Sequence, residues 1–469
     1  MPRPKVDSDM HITIIGGGIA GLATAFYLEK RAREQGRDVQ YSLLESSDRW
    51  GGMIATESVD DFLIEGGPDL LLTQKPAGIQ LCKDLGLANR LISTNNDRQR
   101  TFLVRDGKLV AFPEDFSLVP VRFWSLATSP LYSFWGKVRM ELEVFVPRRR
   151  DEGDESLASF IRRRLGEEAV KIGGAMLAGI HSADAERLSM QCAFPMYVAM
   201  EQRYGSLIKG VRAMRKTRTK SSAMFQTLVG GMGELVDALI AGLDGDLRRG
   251  VAVGSVRKVG GGFEVVAGDE VIGTDAVVMA TPAYVSADLV ADFAPDLSLL
   301  LRGIRYVSTA TVSLAYRKRD VEGQHDFEGF GFLSPKHEGR RITACTWVST
   351  KLNFRAPDDG VLVRTFVGGA GQEDLVELDD EALIALSREE LEDLMGLTAD
   401  PLFARVFRWR RGRPQFDVGH LERVAEMERL AAQVGGLFLT GSAYRGSAIP
   451  DCIVQAVDTV DRILKAGEK

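Results

Sequence analysis

The chain has 469 residues, 45% hydrophobic and 26% charged, enough apolar material for two or three packed domains. A formal net charge of −6 carries no basic excess and argues against nucleic acid as the partner. Four dispersed cysteines without a C-x-x-C pair, and histidines without ligand spacing, exclude a disulfide framework or a zinc site and predict reduced thiols in a cytoplasmic protein.

No secretory leader is expected, because residues 1–9 are short and polar. No apolar run reaches the roughly 18 residues of a transmembrane helix. Residues 11–15 form a β-branched apolar run that predicts a strand. It leads directly into Gly16, Gly17, Gly18, Ile19, Ala20 and Gly21, and then into a helical stretch from Leu22. The spacing Gly16-x-Gly18-x-x-Gly21 is the dinucleotide fingerprint. One glycine permits the tight turn, the next lets backbone approach a pyrophosphate, and the third lets helix pack close to strand. Amides at the helix start then face the phosphates. Residues 39–44 predict the second strand, which ends on Glu45, where a carboxylate accepts both hydroxyls of an adenosine ribose. After Ser46, a second glycine turn with Arg49, Gly51, Gly52 and Met53 predicts a loop along an extended dinucleotide such as FAD. Glu45 disfavours a 2′-phosphate by charge repulsion. Residues 62–65 predict a strand that ends in a third turn of Gly66, Gly67, Pro68, Asp69 and Leu70.

Residues 117–150 interleave Phe123, Trp124, Tyr132, Phe134, Trp135 and Phe145 with Arg122, Lys137, Arg139 and Arg148 to Arg150. The favoured expectation is a helical domain with its aromatics in the core, weighed against a membrane-interface face. Helices are predicted from about residue 155 through 164 and over 233–243. A strand follows at 251–256, a hairpin at 263–272, and a buried parallel strand at 275–280. Residues 310–317, 330–333, 343–348 and 361–367 predict strands of a mixed sheet, and 379–395 one helix. A last strand at 437–441, a glycine-containing turn and a helix over 450–466 complete the chain.

The Gly16 to Gly21 start, Glu45, Arg49-Trp50-Gly51-Gly52 and Glu65-Gly66-Gly67-Pro68 together resemble the flavin amine oxidase superfamily. Within it the chain is most similar to the porphyrinogen oxidases of haem synthesis, the protoporphyrinogen and coproporphyrinogen III oxidases. The similarity runs from about His11 to the C-terminus. It includes Gly179-Ile180-His181-Ser182-Ala183-Asp184, Phe354-Arg355, Pro414-Gln415-Phe416, and Tyr444-Arg445-Gly446 before Pro450-Asp451-Cys452-Ile453.

This resemblance implies an α/β fold of three parts: a discontinuous Rossmann-like FAD-binding domain (1–98, 225–300 and 436–469), a mixed-sheet substrate domain (99–115 and 301–435) and an inserted helical domain (116–224). It implies FAD held by the three turns, with Val253 against the adenine and Gly441, Ser447, Ala448 and Ile449 at the closing turn. The implied reaction is a six-electron, dioxygen-dependent oxidation of a porphyrinogen to the planar porphyrin, releasing hydrogen peroxide. Arg100 is the candidate carboxylate anchor, with a solvated arginine as the plainer alternative. Phe330 and Trp409 are candidate pocket or flavin walls, with core packing as theirs. No catalytic acid, base or nucleophile is assigned, because no motif for one is present.

The chain departs from the family pattern at His181-Ser182-Ala183 and at Ser447-Ala448. A methyl at Ala448 would be costly if that position needed a positive φ. Two other readings stay open: an amine or polyamine oxidase, whose members usually carry an acid where Ser442 follows Gly441, and a non-catalytic flavin-binding scaffold. Coproporphyrinogen III against protoporphyrinogen IX, oligomeric state and peripheral membrane contact also stay open.

Overall fold

Five parallel strands run in the order Asp246–Arg249, Val39–Glu45, Met10–Ile15, Ala276–Met279 and Leu437–Leu439. The computed structural model that shows them describes residues 10–95, 99–112, 118–119, 123–151, 153–217 and 223–466, with the side chains of all but 123–125 and 215–217. The polar start at 1–9, Arg122, and the side chains of Phe123 and Trp124 lie outside the described residues. The central strands are mostly apolar because both faces are covered: Ile12 and Ile14 are fully buried with Thr13 between them, as are Val277, Val278 and Met279. On one face the helix Ile19–Glu34 packs beside the C-terminal helix Ile449–Ala466, burying Leu22, Ala25 and Leu28 with Ile453, Ala456 and Val460 in one core. The α/β, Rossmann-like expectation is therefore met.

The strand expected over 251–256 begins only at Val253 and belongs to a separate antiparallel sheet of Val253–Val259, Gly262–Ala267 and Glu270–Thr274. Residues 250 and 251 instead donate their amides to Ser47 O and Glu45 O, at 2.8 and 2.9 Å. The edge strand Asp246–Arg249 was not expected, since its Asp-Leu-Arg-Arg sequence carries no apolar run.

The second large sheet has seven strands in the order Phe403–Pro414, Tyr306–Arg317, Gly360–Gly368, Ile342–Trp347, Gly331–Leu333, Thr101–Arg105 and Lys108–Ala111. Only the pairing of Gly331–Leu333 with Thr101–Arg105 is parallel. The helix Asp380–Met395, capped by Asp379, covers it with Leu383, Leu386 and Leu391 against Val312, Leu314 and Val363. The strand Phe403–Pro414 is absent from the sequence-based expectation because five arginines interrupt its apolar residues. It is an edge strand, where charge is favoured. Arg405 reaches Glu57 at 2.8 Å, Arg410 reaches Glu377 at 3.0 Å, and Arg408 pairs with Asp380.

Helices between residues 123 and 217 form the third unit, around Phe160, Ile161, Leu165, Tyr197 and Leu207. Its aromatics correct the favoured expectation. Tyr132 is buried, but Phe134, Trp135 and Phe145 are 69, 76 and 80% exposed. The reason is local: Phe134 and Trp135 open the eight-residue helix Phe134–Glu141, whose core contact is made by Met140. A buried ion pair anchors the unit. Arg164 pairs with Glu143, both fully buried, and lies 3.4 Å from Glu201. Glu143 also accepts from Ser206 Oγ at 2.6 Å and from the Leu207 amide at 2.8 Å. No helix among the described residues is long and apolar enough to cross a membrane.

Candidate active site

The three fingerprint glycines have different surroundings. Gly16 has φ 112°, and a Cβ there would stand 2.7 Å from Ala280 O. A Cβ on Gly21 would collide with the Gly16 carbonyl oxygen, so helix and strand are in contact at that point. Gly18 has an ordinary φ of −74°, and the nearest atom to its missing Cβ is Gly52 Cα at 3.8 Å. The space in front of Gly18 is open. The helix it opens has no side-chain cap and no acid in its first turn, so its leading amides are left for an anion. At the end of the neighbouring strand, Glu45 Oε2 accepts the Gly17 amide at 2.7 Å, and Oε1 accepts the Ser47 amide and hydroxyl at 2.8 Å. These bonds fix the Glu45 carboxylate beside the glycine loop. The Val251-to-Glu45 bond brings Val253 to the same edge.

The second and third turns continue this wall. The Gly51 amide donates to Gly17 O at 2.8 Å. Arg49 donates to Ile54 O at 2.9 Å and to Gly52 O, and its guanidinium lies 5.5 Å from the Trp409 ring centre. Trp409 Nε1 donates to Gly66 O at 2.9 Å. A Cβ on Gly67 would strike Met53 O, so Met53, Gly67 and Trp409 are brought together. At the closing turn Gly441 stands 3.6 Å, measured from its missing Cβ, from Ala20 Cβ. The positive φ angles of that turn fall on Gly441 (121°) and Gly446 (131°), not on Ala448. The feared strain at Ala448 is therefore absent: its methyl is exposed, and its amide approaches Asp451 Oδ2 at 3.3 Å as part of the helix start. Uncapped amides, open space at Gly18, a fixed carboxylate at Glu45 and an apolar wall of Met53 and Trp409 fit an FAD. When bound, FAD supplies the electron-accepting chemistry that no side chain of this chain can.

Beside this wall the charge is concentrated. Asp69, Pro68 and Leu70 follow the third turn, and the Asp69 carboxylate lies 2.9 Å from Arg364 and 3.6 Å from Lys351. Burial alone would push Asp69 up; the Lys351 and Arg364 charges outweigh it and hold the group down at about 2. Arg364 also donates to Glu65 O and Gly67 O at 2.8 and 3.2 Å, so Asp69 joins the glycine turn to the large sheet by its side chain. Lys75 meets Asp451 at 2.7 Å. His181, from the helical unit, is pushed down to about 4 by burial and by the Arg413 charge, and is neutral at pH 7.

Two predicted substrate residues are elsewhere. Arg100 and Phe330 are brought together, the Phe330 amide donating to Arg100 O at 2.7 Å. They precede the strands Thr101–Arg105 and Gly331–Leu333, five and four steps across the sheet from Trp409. The Arg100 side chain is 60% exposed and lies 3.5 Å from Glu328. In this structure the Arg100 side chain is exposed and lies away from Trp409. His181, Lys351, Arg364 and Arg413 were not singled out as site residues. His181 lies within the quoted stretch Gly179 to Asp184, and Arg413 immediately precedes Pro414-Gln415-Phe416.

Comparison with known proteins agrees with this geometry. The model of the flavin-containing amine oxidoreductase family matches residues 19–464. The chain is 34% identical to a coproporphyrinogen III oxidase of Bacillus subtilis (strain 168), with 98% of both chains covered. It is 30% identical to a coproporphyrinogen III oxidase of Propionibacterium freudenreichii, covering 99% of this chain and 93% of that one. A crystal structure from Exiguobacterium sp. 255-15, described as a protoporphyrinogen oxidase, superimposes with a TM-score of 0.88 at 29% identity, covering 98% of this chain and all of the other. The dinucleotide wall, the second sheet that closes over it and the end-to-end match lead to one conclusion: the chain belongs to the flavin-containing amine oxidoreductase family.

Proposed function

We propose that the chain is an FAD-dependent porphyrinogen oxidase that converts coproporphyrinogen III to coproporphyrin III. One porphyrinogen gives six electrons and six hydrogens to three dioxygen molecules, yielding one porphyrin and three hydrogen peroxide. The observation that carries this reading is the full-length match to coproporphyrinogen III oxidases, which extends through every segment of the wall and the cleft. The chain's own contribution is binding and orientation. Gly18 leaves room for a pyrophosphate, Glu45 is placed for a ribose, and Met53 and Trp409 present an apolar surface. The cations beside that surface suit a substrate with carboxylate arms.

The test uses purified, flavin-loaded protein with coproporphyrinogen III and protoporphyrinogen IX side by side. Porphyrin fluorescence and peroxide should rise together, faster with coproporphyrinogen III. Faster turnover of protoporphyrinogen IX would reassign the substrate. Peroxide from putrescine or another polyamine without porphyrin from either tetrapyrrole would replace the reading with an amine oxidase. Cytoplasmic placement with peripheral membrane contact belongs to the same proposal, supported by exposed Phe134, Trp135, Leu142 and Phe145.

A further inference from the structure

Beside the apolar wall, Arg413 is a cation with no carboxylate partner among the described residues. Arg413 stands opposite Val307 at the end of the edge strand Phe403–Pro414, where the register breaks. Gly412, the residue before it, places its missing Cβ 2.9 Å from Trp409 Cβ and 3.4 Å from Met53 Cε. The guanidinium is therefore carried by the same short stretch that builds the apolar wall. Its Nε is buried without a hydrogen-bond partner, and among the described residues its one side-chain hydrogen bond is a long contact from Nη1 to Ile180 O at 3.5 Å.

Burial and the neighbouring Arg364 charge both disfavour the charged form of Arg413, and no carboxylate among the described residues offsets them. Arg364 and Lys351 already share the single carboxylate of Asp69. Arg413 thus adds a further positive charge beside Arg364, and no carboxylate among the described residues is paired with it. His181, which feels the Arg413 charge, is neutral at pH 7, and its loop is held in place by Gln415 Nε2 donating to His181 O at 3.3 Å and by the Ala370 amide donating to Ser182 O at 2.9 Å. A half-buried cation left this way is costly unless something that binds the cleft brings the missing negative charge. The planar guanidinium fork matches a carboxylate and holds it with direction.

We propose that Arg413 is the residue that anchors a carboxylate arm of the substrate and so sets the preference for acidic tetrapyrroles. The proposal rests on the oxidase reading of the cleft. The experiment compares wild-type, Arg413→Met and Arg413→Lys holoproteins. Each is titrated with coproporphyrin III and with its tetramethyl ester in detergent, following the flavin absorbance. Steady-state turnover of coproporphyrinogen III is measured in parallel. Arg413→Met should weaken binding of the free acid and raise KM by about tenfold or more, with kcat and flavin content near wild type. Binding of the ester should not change, and Arg413→Lys, which keeps the charge but not the fork, should recover only part of the lost affinity. Unchanged binding of the acid by Arg413→Met, or equal losses for acid and ester, would overturn the anchor while an active wild type keeps the oxidase reading. A wild type that neither binds nor oxidises the tetrapyrrole removes both.

Discussion

The helical unit and the cleft both bury arginine, and they treat it in opposite ways. Arg164 is fully buried and its charge is answered by carboxylates, although its Nε, like that of Arg413, has no hydrogen-bond partner. It has Glu143 and Glu201 as carboxylate partners, and its terminal nitrogens also reach Val146 O at 2.9 Å and Gly205 O at 3.1 Å. Arg413 is half-buried and has one long contact to a carbonyl. The glycine loop shows the same contrast in shape. Gly16 and Gly21 are closed in by backbone, while Gly18 faces open space. Where charge and volume are satisfied from within, the chain is built to hold itself together. Where they are not, it is built to hold something else.

The largest effect tests the open space. Gly18→Val places branched methyls where a pyrophosphate approaches, so the purified variant should be colourless. Flavin absorbance at wild-type stoichiometry would contradict the assignment of the loop. Next comes the closed cluster: Glu143→Ala leaves Arg164 short of its principal partner and should cost about 3–5 kcal/mol in denaturant unfolding. Arg413→Met should leave stability close to wild type by the same measurement. Equal destabilisation of the two would erase the contrast between a structural and a binding arginine.

Asp69 lies between these extremes, paired from within but set in the cleft. Its folded-state value is depressed, so its contribution is complete above about pH 4 and is lost as pH falls through about 2. Asp69→Asn should destabilise by about 2 kcal/mol at neutral pH, and the gap to wild type should close over that acid window. A gap that stays constant down to pH 2 would mean that the ion pair with Arg364 and Lys351 is not its source. The smallest effect on stability belongs to the exposed aromatics. Replacing Phe134 and Trp135 together by serine should change stability by no more than about 0.5 kcal/mol while reducing sedimentation with anionic vesicles. Undiminished vesicle binding would remove this surface from the proposal.

The sequence made the dinucleotide wall legible because its parts are local. A turn that needs glycine, a helix that follows a strand and an acid at a strand end are set by backbone sterics over a few residues. Gly16, Gly18, Gly21 and Glu45 therefore stood out without a structure. The strands Ile342–Trp347 and Gly360–Gly368 were legible for a similar reason, since β-branched runs declare themselves. Phe403–Pro414 did not, because its arginines are matched by Glu57, Glu377 and Asp380 from distant segments. The exposure of Phe134 and Trp135 was also hidden, since nothing in their spacing shows that Met140 takes the inward face.

The sequence by itself thus determined the nucleotide end of the site and the class of fold, because both follow from short-range geometry and apolar periodicity. Only the tertiary structure decided how the charges beside the dinucleotide wall are answered. It gave Asp69 to Arg364 and Lys351, turned Arg100 toward Glu328 and solvent, cleared Ala448 of strain, and left Arg413 beside the wall with no carboxylate of its own among the described residues. Whether a charge is answered depends on which remote segments fold against it, and that is a property of the packed chain rather than of any stretch of it.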